Sequence, residues 1–318
     1  MSDISRDALK AVFVHSDSRP RPASGTKPLM GGTATLTLLG GRHELLEQCW
    51  SFLDELEQLW SRFLPDSDIT RLNWANGQPV EVDERTILLI NEMKDGVVRT
   101  EGRFDPTRLP DVLALGYDAS RVDSRHVTHL PASAVSPGRI DLVEASQQSV
   151  TMPVGTTLDA GGIGKGFAAD LVSSFALERG AWGVMAEIAG DVRVAGEAPN
   201  GIAWRLGVEN PFSPRSHRAI VRIPDGGVVT SSQLKKRFGK DSLTHHLIDT
   251  ANGKSAVTTV ATVTVIARTA AIAETLTKPG FTQPVTNYLD WLPRQGAAGF
   301  VIGLDGTTHE SDNWSLYQ

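Results

Sequence analysis

The chain is poor in cysteine. Cys49 is the single one among 318 residues, which excludes an intrachain disulfide framework and a cysteine-rich zinc centre. Long apolar runs are missing too: none approaches the roughly 18 residues of a membrane-spanning helix. The opening MSDISRDALKAVFVHSDSRPRP has no apolar core followed by a cleavage site, and no cysteine near the start offers a lipoprotein anchor. The expected location is cytoplasmic, with no intrinsic membrane anchor. Positive charge is not in excess, since 31 Lys and Arg face 37 Asp and Glu for a net charge of −6 and a pI near 5.8. That balance argues against a broad nucleic-acid face, so no nucleic-acid partner is expected. It leaves room for a small anionic ligand, which needs only a local site.

What is present reads as a globular chain of mixed α and β content, long enough to bury a sizeable core. Residues 1–28 are weakly patterned and end in Pro20, Pro22, Ser24 and Gly25, which reads as a partly ordered lead-in. Residues 29–318 read as one domain, without repeats or a linker. A strand is expected at Thr33–Leu39, then an amphipathic helix from about Arg42 to Phe63 that stops before Pro65. Cys49 falls on its apolar stripe as a buried thiol. Residues 69–82 read as a loop plus a short strand. A second helix covers Glu84–Glu101, ended by Gly102. Short strand-like runs occupy 119–157, and a helix covers Phe167–Arg179. Strands follow near Gly183–Ile188, Val192–Ala195, Trp204–Glu209 and Ala219–Ile223. Val257–Ala267 is apolar and β-branched, a buried strand. Thr269–Lys278 reads as a helix, and Tyr288–Leu292 and Gly299–Leu304 as a last helix and strand.

Four strings hold residue types with chemistry. In LDAGGIGKGFAADL (158–171), glycines before a helix let backbone N–H groups approach a phosphate, and Lys165 adds a cation. The spacing fits neither a Walker A loop nor the dinucleotide fingerprint, and a tight strand-to-helix turn accounts for the glycines equally well. In THHLID (244–249), a histidine can serve as general base with a carboxylate to orient it. Neighbouring histidines on a strand face opposite ways, so one of them faces a given site. Gly102–Thr107 holds an Asp-Pro-Thr turn. In AETLTK (273–278), a carboxylate and a hydroxyl on one helix can hold Mg²⁺, although Glu274 and Lys278 also form an ordinary i,i+4 surface pair.

Taken in order, these strings resemble the ApbE family of FAD:protein FMN transferases. The likeness begins with Gly32-Thr33 after Met30 and continues through SRFLPDSDITRLN (61–73), EGRFDPTR (101–108), LDAGGIGKGFAADL and AGDVRVAG (189–196). It ends with TSS (230–232), HLIDTANGKS (246–255) and VTVIARTAAIAETLTK (263–278), and spans roughly residues 30–304. The resemblance implies a single α+β domain with mixed sheets flanked by helices and an FAD cleft between two lobes. It implies transfer of FMN from FAD to a Ser or Thr hydroxyl of an acceptor protein, with AMP released and Mg²⁺ as the divalent cation. Water in place of the hydroxyl gives the alternative, an FAD pyrophosphatase, and a non-catalytic FAD-binding protein is a third reading. Carried onto this chain, the family pattern places Met30 and Phe63 against the flavin and Asp105 and Thr107 in the wall of the FAD site. Asp159 contacts FAD hydroxyls, and Lys165 and Ile248 also reach FAD. His246 becomes the general base, with Asp249 holding the turn behind it, and Gly162, Glu274 and Thr277 the metal ligands. Three positions depart from the family pattern. Glu274 stands for the usual Asp, Lys278 for a Thr or other oxygen ligand, and Thr250 for a Pro. The Lys278 exchange implies that an ammonium supplies part of the positive charge and that dependence on Mg²⁺ is less steep.

Overall fold

Alternation of apolar and polar residues builds the main sheet. The computed structural model of the chain describes residues 20–120, 122–213, 215–235, 237–238 and 244–318; residues 1–19 of the expected lead-in lie outside them. The strands that matter here are β1 (Ala23–Leu29), β2 (Gly32–Gly40), β3 (Ala181–Ile188), β4 (Asp191–Gly196), β5 (Trp204–Glu209), β6 (His217–Ile223), β7 (Gly226–Ser232), β8 (Val260–Ala267), β9 (Ala298–Gly303) and β10 (Thr308–Glu310). Eight of them form one sheet in the order β1-β2-β3-β4-β7-β8-β9-β10, while β5 and β6 pair as a separate ribbon. In β2, Ala34, Leu36 and Leu38 are buried and alternate with threonines, the pattern of a pleated strand with one covered face. The expected mixed sheets are corrected at this point: every pairing among the described residues is antiparallel.

The sheet is covered on both faces. The larger core lies on the helical side and includes Leu36, Val184, Val229, Val263 and Val265. The second core holds Val194, Val228, Ile266 and Phe300 with Trp204 and Val208 of β5, Val221 and Ile223 of β6, and Trp314 near the C-terminus. Adjacent residues of β7 and β8 thus feed opposite cores, which is why Val260–Ala267 is buried along its whole length. The strand begins at Val260 rather than Val257, and Val257 is fully exposed.

The helices are α1 (Leu45–Trp60), α2 (Asp68–Trp74), α3 (Glu84–Arg99), α4 (Leu109–Ala114), α5 (Gly164–Glu178), α6 (Ala270–Leu276) and α7 (Val285–Trp291). No helix among the described residues is long and apolar enough to cross a membrane. α1 is three residues shorter at each end than expected, because Ser61 turns extended at its C-cap and releases Arg62 and Phe63 from the helix. Cys49 is buried on its inner face, and burial pushes its thiol up to about 11. α2 occupies what reads as loop in the sequence. The Thr70 N–H donates to the Ser67 hydroxyl, and Ile69 and Leu72 enter the core, a local cap and two contacts too short to show a period. β1 also escapes pattern reading, because Leu29 is its single buried residue and an edge strand is held mainly by backbone bonds to its neighbour.

Candidate active site

The end of the sheet where β3 turns into β4 sets the floor of a cavity of about 490 Å³. The turn is tight: Ala189 and Gly190 both take positive φ, 52° and 94°. It delivers Asp191 to the start of β4, opposite Val229 of β7. Ser231 follows two residues on, in the same end of the sheet. From the helical side come the first turn of α5, with Lys165, and the middle of α6, with Glu274. Gly166 permits this approach, since a β-carbon there would lie 2.5 Å from the carbonyl oxygen of Ala270. Part of the glycine signal is therefore packing of α5 on α6.

Lys165 sits between two carboxylates. Its Nζ is 2.8 Å from Asp191 Oδ2 and bonded to Glu274 Oε1. The second oxygen of Glu274 accepts the Gly166 N–H at 2.8 Å. Lys278 completes the cluster, donating to Ser231 Oγ at 3.2 Å and Thr277 Oγ1 at 3.3 Å. Burial works against the Lys165 charge, but Asp191 and Glu274 outweigh it and hold the ammonium well above the ordinary lysine value. Burial raises Asp191 to about 6, Glu274 adding to the effect and Lys165 opposing it. Burial also opposes ionisation of Glu274, yet Lys165 and Lys278 prevail and keep its carboxyl below the usual value. Lys278 is drawn below its ordinary value by burial, with Glu274 pulling the other way. Glu274 is 1% exposed. The surface-pair reading of Glu274 and Lys278 is therefore corrected, because Glu274 is buried and Lys278 lines the cavity.

Nine of the twelve sequence-derived residues line this one cavity: Met30, Phe63, Asp105, Asp159, Gly162, Lys165, His246, Ile248 and Glu274. Thr107, Asp249 and Thr277 do not line it. Thr107 is fully buried and donates through its hydroxyl to Asp105 Oδ1 at 2.6 Å, so it positions Asp105. Asp249 accepts from Ala251 N at 3.0 Å and from Asn252 Nδ2 at 2.8 Å, within its own turn. Thr277 donates to the Glu274 carbonyl at 2.7 Å and lies 2.7 Å from Ser231 Oγ. Of the two adjacent histidines, His246 reaches the cavity, while His245 is buried with its Nε2 3.1 Å from the Ala256 carbonyl. Burial lowers the His245 pKa, as suits a neutral structural imidazole.

Sequence reading missed two arginines. Arg62 is 6% exposed. It bonds Thr128 Oγ1 at 2.7 Å and the Tyr117 carbonyl at 2.9 Å, and its Nε lies 3.6 Å from Asp159 Oδ1. Its guanidinium also lies over the rings of Phe63 and Tyr117, 4.2 and 5.0 Å from their centroids. Arg108 bonds the Thr250 carbonyl and Asp111, tying the Asp105 turn to the loop that carries His246. Both sit inside quoted strings, but an arginine's partners in space leave no mark on sequence spacing.

Fold and site together define an antiparallel α+β domain whose cleft has a charged floor and an aromatic-lined wall. The family model that matches residues 30–301 is described as "ApbE family", and the chain belongs to that family. It is 30% identical over 264 residues to an FAD:protein FMN transferase of Treponema pallidum, covering 74% of this chain and 70% of the relative. It is 27% identical over 230 residues to the enzyme of the same name from Vibrio cholerae, covering 70% and 69%. The fold matches the ApbE protein of Thermotoga maritima with a TM-score of 0.81 at 23% identity, covering 93% of this chain and 99% of that one. It matches the apo flavinyl transferase ApbE of Pseudomonas stutzeri with a TM-score of 0.78 at 22% identity, covering 94% and 97%.

Proposed function

We propose that the protein transfers FMN from FAD to a Ser or Thr hydroxyl of an acceptor protein and releases AMP. The observation that carries this reading is the convergence of Lys165, Lys278, Asp159 and His246 on one cavity, in a chain whose curated relatives bear that activity in their names. The pyrophosphate of FAD is the part that needs cations, and the two lysines at the floor meet that need. Phe63 and Met30 at the rim offer apolar and aromatic surface to an isoalloxazine ring. Asp159, set by Arg62, and Asp105, set by Thr107, offer acceptors to the hydroxyls of FAD, and Ile248 packs against it.

In the reaction the acceptor oxygen forms a bond to the flavin-side phosphorus. The bond from that phosphorus to the bridging oxygen breaks, and AMP leaves with the bridging oxygen. His246 takes the proton from the attacking hydroxyl, and Asp249 keeps the turn that carries His246 in shape.

The residues do not fit the expected magnesium ion. Both carboxylate oxygens of Glu274 are engaged, one by Lys165 and one by Gly166 N–H. The Thr277 hydroxyl donates to the Glu274 carbonyl, and its oxygen meets Ser231 and the Lys278 ammonium. The test is incubation of the purified protein with FAD and an acceptor bearing a flavinylation motif. AMP and acceptor-bound flavin in equal amounts are expected. AMP formed at the same rate without acceptor, and no labelled acceptor, would overturn transfer in favour of hydrolysis.

A further inference from the structure

Lys278 stands among the three residues to which the family resemblance assigns a metal and touches one of them, Thr277, directly. Lys278 Nζ is 3.3 Å from Thr277 Oγ1. Its stem passes Gly162, where a β-carbon would lie 3.6 Å from Lys278 Cε. It is one of the charges acting on Glu274. The same ammonium reaches Ser231 Oγ at 3.2 Å, and Ser231 in turn lies 2.7 Å from Thr277. The hydroxyl oxygens of Thr277 and Ser231 thus face a lysine head, whose N–H donors suit such acceptors.

Charge leads to the same place. Lys165 and Lys278 stand against Asp191 and Glu274, two against two, so the cluster is neutral. A divalent cation entering it would meet two ammonium groups and find the Glu274 oxygens already taken. Oxygen-ligand sites for hard cations need anionic or carbonyl oxygens free to turn inward. Here the Glu274 oxygens are held by Lys165 and Gly166 N–H, and the Thr277 oxygen accepts from Lys278.

We propose that Lys278 occupies the position of the divalent cation, so that this active site works with a built-in ammonium pair and binds no metal ion. The consequence for the substrate rests on the transferase reading: Lys278, which has no carboxylate within ion-pair distance among the described residues, donates to the FAD pyrophosphate where a cation would otherwise stand. The site itself does not rest on that reading, because metal binding is measured without any reaction.

The experiment titrates Mn²⁺ into the full chain, followed by electron paramagnetic resonance, with and without FAD and with free FAD as the control. In parallel, AMP release is measured in EDTA. The wild type is expected to bind no Mn²⁺ beyond the FAD control and to release AMP equally fast in EDTA. Lys278→Thr removes one charge and adds a ligand oxygen. It is expected to gain one Mn²⁺ site, with affinity raised about a hundredfold or more by loss of the repulsion. Lys278→Gln, which keeps the stem, replaces it if Lys278→Thr fails to fold. One Mn²⁺ bound per wild-type chain above the control overturns the proposal, and so does a folded variant that gains no site. A wild type silent to Mn²⁺ that releases no AMP sustains the lysine substitution and overturns the transferase reading alone.

Discussion

Lys165 is the residue on which the site's electrostatics turn. Its removal leaves Asp191 and Glu274 buried side by side, 5% and 1% exposed at their side chains, without their ammonium. Breaking a buried ion pair from one side costs about 3–5 kcal/mol. Lys165→Met is therefore expected to lower the unfolding free energy by that amount in urea denaturation. Adding Glu274→Gln should restore part of it, and equal losses in single and double variants would refute the coupling. His246 carries a different load: it lines the same cavity, half-buried. His246→Ala is expected to keep FAD affinity, measured by quenching of flavin fluorescence, while AMP release falls about 10²–10⁴-fold. An unchanged rate would remove the general-base role. Most of these residues were visible in the sequence because each sits in a short string of fixed spacing. Arg62, Asp191 and Lys278 draw part of their roles from Asp159, Lys165 and Ser231, 97, 26 and 47 positions away, which no local pattern encodes.

At the scale of elements, the approach of α5 to α6 holds Lys165 against Glu274. Gly166 makes it possible, and Gly166→Ala would force a β-carbon to within 2.5 Å of the Ala270 backbone. A loss of about 1–3 kcal/mol is expected from this overpacking. Gly164→Ala, whose β-carbon would meet only the Ala160 side chain at 3.2 Å, should cost less; the reverse order in thermal melts would contradict the packing account. Asp170 of α5 accepts the N–H groups of Ala270 and Ala271 at 2.9 and 2.8 Å, closing the start of α6. Burial raises its carboxyl to about 6. A raised pKa means that the folded state holds the proton longer than the unfolded one, so stability from this group is full below about pH 4 and lost as pH rises through 6. The destabilisation caused by Asp170→Asn is accordingly expected to be larger at pH 4.5 than at pH 7.5, by roughly 1–3 kcal/mol. No difference between the two would show that the burial cost is offset. The long elements α1, α3, α5 and β8 were legible because their apolar residues repeat over several turns or run unbroken. α2 and β1 were not, since each offers the core two residues or one. β7 was seen only as the TSS string; its two glycines and alternation between two cores give no single-faced pattern.

Across the whole molecule, the cavity collects segments from Pro28 to Phe281. The sheet end supplies Asp191 and Ser231, the helices Lys165 and Glu274, and two loops tied together by Arg108 supply Asp105 and His246. The order of the motifs along the chain is enough to mark the family. It does not show that the Glu274 carboxylate is bound by Lys165 and Gly166 N–H and the Thr277 oxygen by Lys278, because hydrogen-bond direction is a property of the packed state. The central claim is transfer of FMN to protein, and mass spectrometry of an acceptor after incubation with FAD and this protein tests it most directly. The account predicts that one Ser or Thr of the acceptor gains the mass of FMN less one water, with one AMP released for each, and that no gain occurs with His246→Ala. An acceptor of unchanged mass while FAD is converted to free FMN and AMP would contradict it.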